Sequence, residues 1–389
     1  MEIQIIKPMR TSRIIERRKI FLCFLGICML CFFHVPTSAQ KQERNIDHPL
    51  EDSTIEARTS FNGYPFAFYT PETKFAGGAG GIFIFYTAKD TVLLPSKIGF
   101  AGWYSTNKQF KISINPVIYF FKNKLFFKAP ISYGHFVDKF WGIGNNTVET
   151  GNESYARNVF TTSFTLQVPP VWFSADRTGL IFEYDYTEID DKMNNELLLD
   201  DELAGSNGGK LFGFGTDLVW DTRDNIFFPN SGGYQYFKIL IYPDISEHVF
   251  GLVEMDVKHF RSFKEDHVLA GNFYFAQAFG ETPFYKLPAI GGPARMRGYF
   301  AGRYRDNTFA MLQLEYRQYF WWKFGFVVFA GAGDVADELL NFSFSNLKYS
   351  YGAGLRFKFN EKQKVNLRMD LGFGNDGNMG IYFGIEEAF

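Results

Sequence analysis

The stretch GGPARMRGYFAGRYRDN, residues 291–307, gathers four arginines and two tyrosines among glycines. At its centre stands Arg297-Gly298-Tyr299. A guanidinium presents a rigid fork of donors, so an arginine withdrawn from water requires carboxylates around it. Glycine allows a tight main chain beside it, and a tyrosine can wedge an apolar ring against a wall. The chemistry on offer is ionic pairing that seats a loop, rather than the making or breaking of bonds. Taken alone, the same residues also suit an exposed charged loop, or an arginine lining a pore.

Reaction chemistry is not legible elsewhere. Outside the N-terminal segment the histidines are His48, His135, His248, His259 and His267, and none sits in a pattern that reads as a triad. Metal-ligand spacing, a phosphate loop and a dinucleotide fingerprint are all missing; GAGG at 78–81 reads as a run of strand glycines. Cys23, Cys28 and Cys31 all fall in one N-terminal apolar run, so the remainder has no disulfide, thiolate or zinc–cysteine chemistry. No catalytic residue, cofactor or metal is expected, and the chain is not read as an enzyme.

What positions the arginines must come from the rest of the chain. Its start is a targeting segment: basic MRTSRIIERRK, the apolar run from Ile20 to Phe33, then small residues at Thr37 and Ala39. That order describes a cleaved secretory signal peptide over residues 1–39. The segment carries six Lys/Arg and two acids, +4, so its removal takes the formal charge from −2 to −6 (−2 − 4). Nothing in that balance points to nucleic acid. Residues 40–60 are charged and read as a flexible periplasmic leader.

From residue 61 the dominant pattern has period two. Phe110, Ile112, Ile114, Pro116, Ile118 and Phe120 share a face opposite Lys111, Ser113 and Asn115. Tyr351, Ala353, Leu355 and Phe357 oppose Gly352, Gly354, Arg356 and Lys358; Leu367, Met369 and Leu371 oppose Asn366, Arg368 and Asp370. Such alternation gives strands with one apolar and one polar face. With 47 Phe, 21 Tyr and 37 Gly in the whole chain and a secretory signal at its start, the apolar face is assigned to lipid.

Turn signals then divide residues 61–389 into about sixteen strands, among them 61–69, 124–136 and 379–389. The fold class is all-β: a transmembrane antiparallel β-barrel in the bacterial outer membrane, its long extracellular loop folded into the lumen. An even count returns both ends to the periplasm. The long connections, 190–210 and 279–307, then lie outside. Glu315 and Asp370 fall on the polar face of later strands and are the expected lumen partners of Arg297. Pairing with Arg317 or Arg368 explains those carboxylates almost as well. Asp221, Arg223 and Asp224, in DTRDN, are expected to close a periplasmic turn through local hydrogen bonds. The terminal GIYFGIEEAF puts Ile381, Phe383, Ile385 and Phe389 on one face and Tyr382 and Gly384 on the other, interrupted by Glu387. Tyr382, Gly384 and Phe389 are read as a terminal insertion signal.

Four pieces in this order resemble the barrel of the BamA/TamA family, the bacterial surface antigen barrel domain. They are YPFAFYTPETKFAGGAGGIFIFYT, GFGTDLVWDTRDNIFFPNSGGYQYF, GGPARMRGYF and GIYFGIEEAF. The resemblance implies a barrel that inserts or translocates other proteins, with its loop arginine pinned inside. It departs in two places. FAGAGDV puts Gly331 where the family often has an aspartate, with Asp334 three residues later. Only about twenty residues separate the signal from the first strand, which implies a member without the periplasmic POTRA modules. The implied partners are outer-membrane lipid and lipopolysaccharide, unfolded outer-membrane or secreted clients, and a separate periplasmic protein. The alternative reading is a passive or gated channel for small solutes.

Overall fold

The computed structural model describes residues 59–389 apart from 88–95, 122, 171–173, 194, 265 and 361–364. The expected signal peptide, 1–39, and leader residues 40–58 lie outside the described residues. The first half of the barrel comprises β1 (Ser60–Thr70), β2 (Lys74–Phe85), β3 (Ser96–Ser105), β4 (Phe110–Phe120), β5 (Leu125–Lys128) and β6 (Ile131–Lys139). It continues through β7 (Ser154–Val168), β8 (Arg177–Asp191), β9 (Gly208–Asp221) and β10 (Gly232–Tyr242). Next come β11 (Phe250–Lys264) and β12 (His267–Gly280), then a short ribbon of β13 (Ala289–Ile290) and β14 (Tyr304–Arg305). The last staves are β15 (Thr308–Trp321), β16 (Phe324–Ala336), β17 (Lys348–Asn360), β18 (Val365–Gly374) and β19 (Met379–Ile385).

All but the β13–β14 ribbon form one antiparallel sheet that closes when β19 meets β1. β5 and β6 together make one stave, since each pairs with β4 and with β7. The break falls at Ala129-Pro130, where proline cannot donate to a ladder. The barrel therefore has sixteen staves.

The period-two pattern explains which face looks outward. Leu180, Ile241 and Leu355 stand exposed, whereas Gln167, Asp217, Asn272 and Gln313 are buried. Polar side chains withdrawn behind an apolar exterior invert the arrangement of a water-soluble sheet and suit a wall bathed in lipid. Aromatic rings collect at one rim around the β15–β16 turn. There Trp321 stacks on Phe324 at 5.8 Å and Trp322 meets Phe357 edge-on at 6.2 Å. Indole and phenyl rings settle where hydrocarbon gives way to headgroups.

One expectation is corrected here. The last strand does not run from 379 to 389; it ends at Ile385. The Glu386 N–H still donates to the Asn366 carbonyl at 2.8 Å, but Glu386 takes φ +71, which turns the chain away from the strand line. Phe389 therefore does not sit on an alternating strand end with Tyr382 and Gly384. The Glu387 carboxylate has a better partner elsewhere: it lies 2.7 Å from Arg356 Nε and accepts from Asn366 Nδ2 at 2.8 Å. A charge-assisted pair outweighs continuing a strand that would carry Glu387 on its apolar side.

Candidate functional site: a buried loop arginine

The connection between β12 and β15 is drawn in at its base by the β13–β14 ribbon, with Ala289 opposite Arg305 and Ile290 opposite Tyr304. Within the tip, Gly291 donates to the Arg295 carbonyl at 2.9 Å, Gly292 to that of Tyr299 at 3.0 Å and Gly302 to that of Ile290 at 2.9 Å. These main-chain bonds close a compact loop without a helix or a further sheet.

Arg297 sits at the bottom of that loop, fully buried. Its Nη1 donates to Asp370 Oδ2 at 2.6 Å and its Nη2 to Glu315 Oε1. The guanidinium carbon lies 3.6 Å from the centre of the Phe329 ring, so the fork is held edgewise by carboxylates and facewise by an aromatic. Both expected partners are engaged at once. The neighbouring arginines bind the same acids: Arg317 reaches Glu315 Oε2 at 2.9 Å, Arg356 reaches Asp370 Oδ1 at 2.5 Å and Arg368 reaches Asp370 Oδ2 at 3.2 Å. Local charge pairing and loop pinning thus share one network. Asp334 takes no part in it, since it pairs with Lys348 at 3.1 Å.

The two residues after Arg297 complete the seat. Gly298 adopts φ +111 and its N–H donates to the Tyr382 hydroxyl at 3.1 Å. That hydroxyl in turn donates to the Tyr299 carbonyl at 3.2 Å. Tyr299 is buried; its hydroxyl donates to the Tyr349 carbonyl at 3.0 Å and accepts from the Asn375 N–H at 2.7 Å. Met296, Tyr299 and Tyr304 pack with Tyr274, Phe309, Met311 and Val335 in a buried apolar cluster.

The remaining arginines of the motif each hold something different. Arg295 lies over the Tyr274 ring at 3.7 Å. Arg303 donates to Thr147 Oγ1 at 2.7 Å, and Arg305 to the Phe284 carbonyl at 3.1 Å and the Lys139 carbonyl at 3.3 Å. Across the β19–β1 seam, the Ala301 N–H donates to Glu72 Oε1 at 2.8 Å, so the loop also touches the β1–β2 turn.

The sequence family model for the Omp85 superfamily domain matches residues 95–389. The chain belongs to the Omp85 superfamily. Its fold is similar to that of BamA from Haemophilus ducreyi lacking POTRA domains 1–3, with TM-score 0.61 at 14% identity. That match covers 85% of this chain and 70% of the other. It is also similar to CdiB from Acinetobacter baumannii, with TM-score 0.54 at 11% identity, over 84% of this chain and 59% of that one. No curated protein matches the sequence.

In this Omp85-superfamily barrel, three features of the site have no signal along a single strand. Tyr382, which the terminal alternation places opposite Phe383, supplies the hydroxyl that bridges Gly298 and Tyr299. Ser350 donates to the Arg297 carbonyl. Arg356, on the polar face of its strand, joins Asp370 to Glu387. Alternation gives the face of each but not its partner. DTRDN is tied by local bonds: Asp221 takes Arg223 in a fork at 2.8 and 2.7 Å, and Asp224 Oδ1 accepts from Asn230 N at 2.8 Å.

Proposed function

We propose that this outer-membrane barrel acts in the assembly or translocation of other proteins, with the seam between β1 and β19 as its working edge. One observation carries the reading. β1 runs in register with β2 from Ser60↔Ile84 to Thr70↔Lys74, yet it meets β19 at Tyr69↔Phe383 alone. A strand edge with unpaired N–H and C=O groups is a template for an incoming strand. Pro65 in β1 has no N–H to offer a partner, which keeps that edge weak.

The loop has the complementary role. We read its tip as folded into the lumen, where Arg297 ties it to β15 and β18, and where bonds to Tyr382 on β19 and Glu72 in the β1–β2 turn bring it against both sides of the seam. Clients are unfolded outer-membrane or secreted proteins, delivered by a separate periplasmic partner, while lipid and lipopolysaccharide surround the apolar wall. Residues 1–39 act as the cleaved signal, 40–60 as the leader and 61–389 as the barrel.

The test is deletion of the gene, followed by quantification of the outer-membrane proteome. Other barrels, or one surface protein, are expected to fall. Complementation with a Tyr69→Cys/Phe383→Cys barrel should restore them only under reducing conditions. An unchanged proteome overturns the reading. It would favour a channel for small solutes, which draws support from a polar cavity of about 250 Å³ lined by Lys111, Ser132, Arg157, Asp185 and Lys286.

A further inference from the structure

The staves β4 to β8 bring a second group of cations together, away from Arg297. Lys111 stands opposite Gly134, Gly134 opposite Val159 and Val159 opposite Thr187, so one row crosses β4, β6, β7 and β8. One row along, Ser132, Thr161 and Asp185 align in the same way, and on the other side Phe136 faces Arg157. Period-two alternation puts all of these on the polar face of their strands. They line the cavity of about 250 Å³, and Tyr285 and Lys286 from the β12–β15 connection complete its lining.

Lys111, Arg157 and Lys286 are the cations of that lining, and Asp185 is its one acid. The acids nearby are already spent. Asp185 accepts from Lys286 Nζ at 2.9 Å and from the Thr187 hydroxyl at 2.9 Å. Glu183, outside the lining, accepts from Lys286 at 3.2 Å and from the Tyr242 hydroxyl at 2.9 Å. Asp138 takes Arg157 Nε at 2.7 Å, which leaves both Nη groups of Arg157 without an acceptor among the described residues. Lys111 has neither an ion pair nor a hydrogen bond among them. The Ser132 and Thr161 hydroxyls lie 2.8 Å apart, a bond that uses one of their two protons and leaves the other. The cavity thus has a surplus of donors, most of them charged, and no acceptor to match it.

We propose that this cavity binds a small phosphorylated solute, or phosphate itself, through Lys111, Arg157 and the free hydroxyl of the Ser132–Thr161 pair. A guanidinium whose Nε is fixed by an aspartate presents its Nη edge ready-made to an oxyanion, and an ammonium opposite it adds a point charge. The donors come from β4, β7 and the floor between them, three directions that suit the several oxygens of a tetrahedral head better than the two coplanar ones of a carboxylate. At roughly 30 Å³ per water, the volume admits a phosphate with a few further heavy atoms and excludes a folded chain. Because Lys286 belongs to the same connection as Arg297, a bound anion would also hold the start of that connection to the β4–β8 wall. The site stands whether the barrel handles proteins or passes solutes.

The experiment is calorimetric titration of the protein, purified from outer membranes in detergent, with inorganic phosphate at constant ionic strength. Saturable binding at one site is expected, with sulfate comparable and acetate weaker. Lys111→Met should weaken phosphate by about tenfold, the loss of one charge-assisted contact. Without phosphate it should leave the gel conversion temperature of the barrel unchanged, since Lys111 gives up no partner within the protein. Thr161→Glu, which sets an acid in the row beside Asp185, should weaken phosphate at least as much. Phosphate should raise the conversion temperature of the parent and not that of either variant. Heat-modifiable migration confirms that each variant is folded. Absence of saturable binding to the parent overturns the site. So does an affinity that Lys111→Met and Thr161→Glu both leave unmoved in folded barrels, and acetate binding as tightly as phosphate overturns the assignment of ligand class.

Discussion

The main chain of Gly298 rides on the main chain of Phe373, so closely that a β-carbon on Gly298 would stand 2.5 Å from the Phe373 carbonyl carbon. That contact seats the loop on β18, and it sets the height at which Arg297 meets Asp370.

Gly298→Ala should therefore unseat the tip. The substitution combines a left-handed φ of +111 with a main-chain clash, and about 2 kcal/mol or more of destabilisation is expected. The temperature at which the folded gel band converts to the unfolded one should drop clearly. An unchanged conversion temperature would mean that the tip does not need this close approach.

Arg297→Ala leaves Glu315 and Asp370 buried beside Arg317, Arg356 and Arg368. Because those arginines remain, the loss should lie near the lower end of the range for a broken buried pair, about 3 kcal/mol. Arg297→Lys should recover little of it, since an ammonium cannot span two separate carboxylates as the fork does. Arg297→Glu should be worse than alanine, and Glu315→Arg or Asp370→Arg should rescue it only in part. Either reversed partner would face Arg317 or Arg356 with like charge. Denaturant melts of the single and double variants measure all of this, and full rescue by one reversal would contradict the shared network.

A pH effect is expected at the β1–β2 turn. Burial raises the Glu72 carboxyl above its ordinary range, while hydrogen bonds from Thr70 and the Ala301 N–H pull it down by less. With the folded pKa above the unfolded one, protonation favours the folded contact. This contribution is complete below the unfolded pKa and fades as pH rises through the folded one. Melting of the native barrel should thus worsen, as pH rises above the ordinary carboxylate range, by more than that of Glu72→Gln, which keeps the acceptor for Ala301 and has no charge to bury. Equal slopes for the two proteins would remove Glu72 as the cause.

The Asp221–Arg223 fork should matter little. Both side chains are partly exposed, at 20% and 16%, and two residues apart, so Arg223→Ala should cost roughly 1 kcal/mol or less. Protein yield in the membrane and the gel conversion temperature should stay close to those of the parent. A large loss of either would assign this turn a role beyond local closure.

Gly331 illustrates how a family-level expectation and local packing can part. A β-carbon there would lie 2.8 Å from Gln313 Cγ and 3.4 Å from Met296 Sδ, so the loop occupies the space an aspartate would need. Gln313 answers for it by accepting from the Met296 N–H at 3.0 Å and donating to the Ala294 carbonyl at 2.9 Å.

Strand count, the assignment of faces and the choice of Glu315 and Asp370 were all legible in the sequence, because period-two alternation is a local property. It fixes where each side chain points once the backbone is extended. The seating of the loop was legible only as a need: a cluster of arginines around Arg297-Gly298-Tyr299 requires acids but does not say how many answer it. Closure of the ring decided that by bringing Glu315 and Asp370, 18 and 73 residues along the chain, onto one guanidinium. The end of the chain shows the limit most plainly. Local alternation continues β19 to Phe389, yet Arg356 and Asn366, supplied by neighbouring strands, offer Glu387 a stronger partnership than lipid and turn the chain at Glu386. A pattern along one strand specifies its faces; only the folded ring specifies which charges meet, since that energy belongs to pairs distant in sequence.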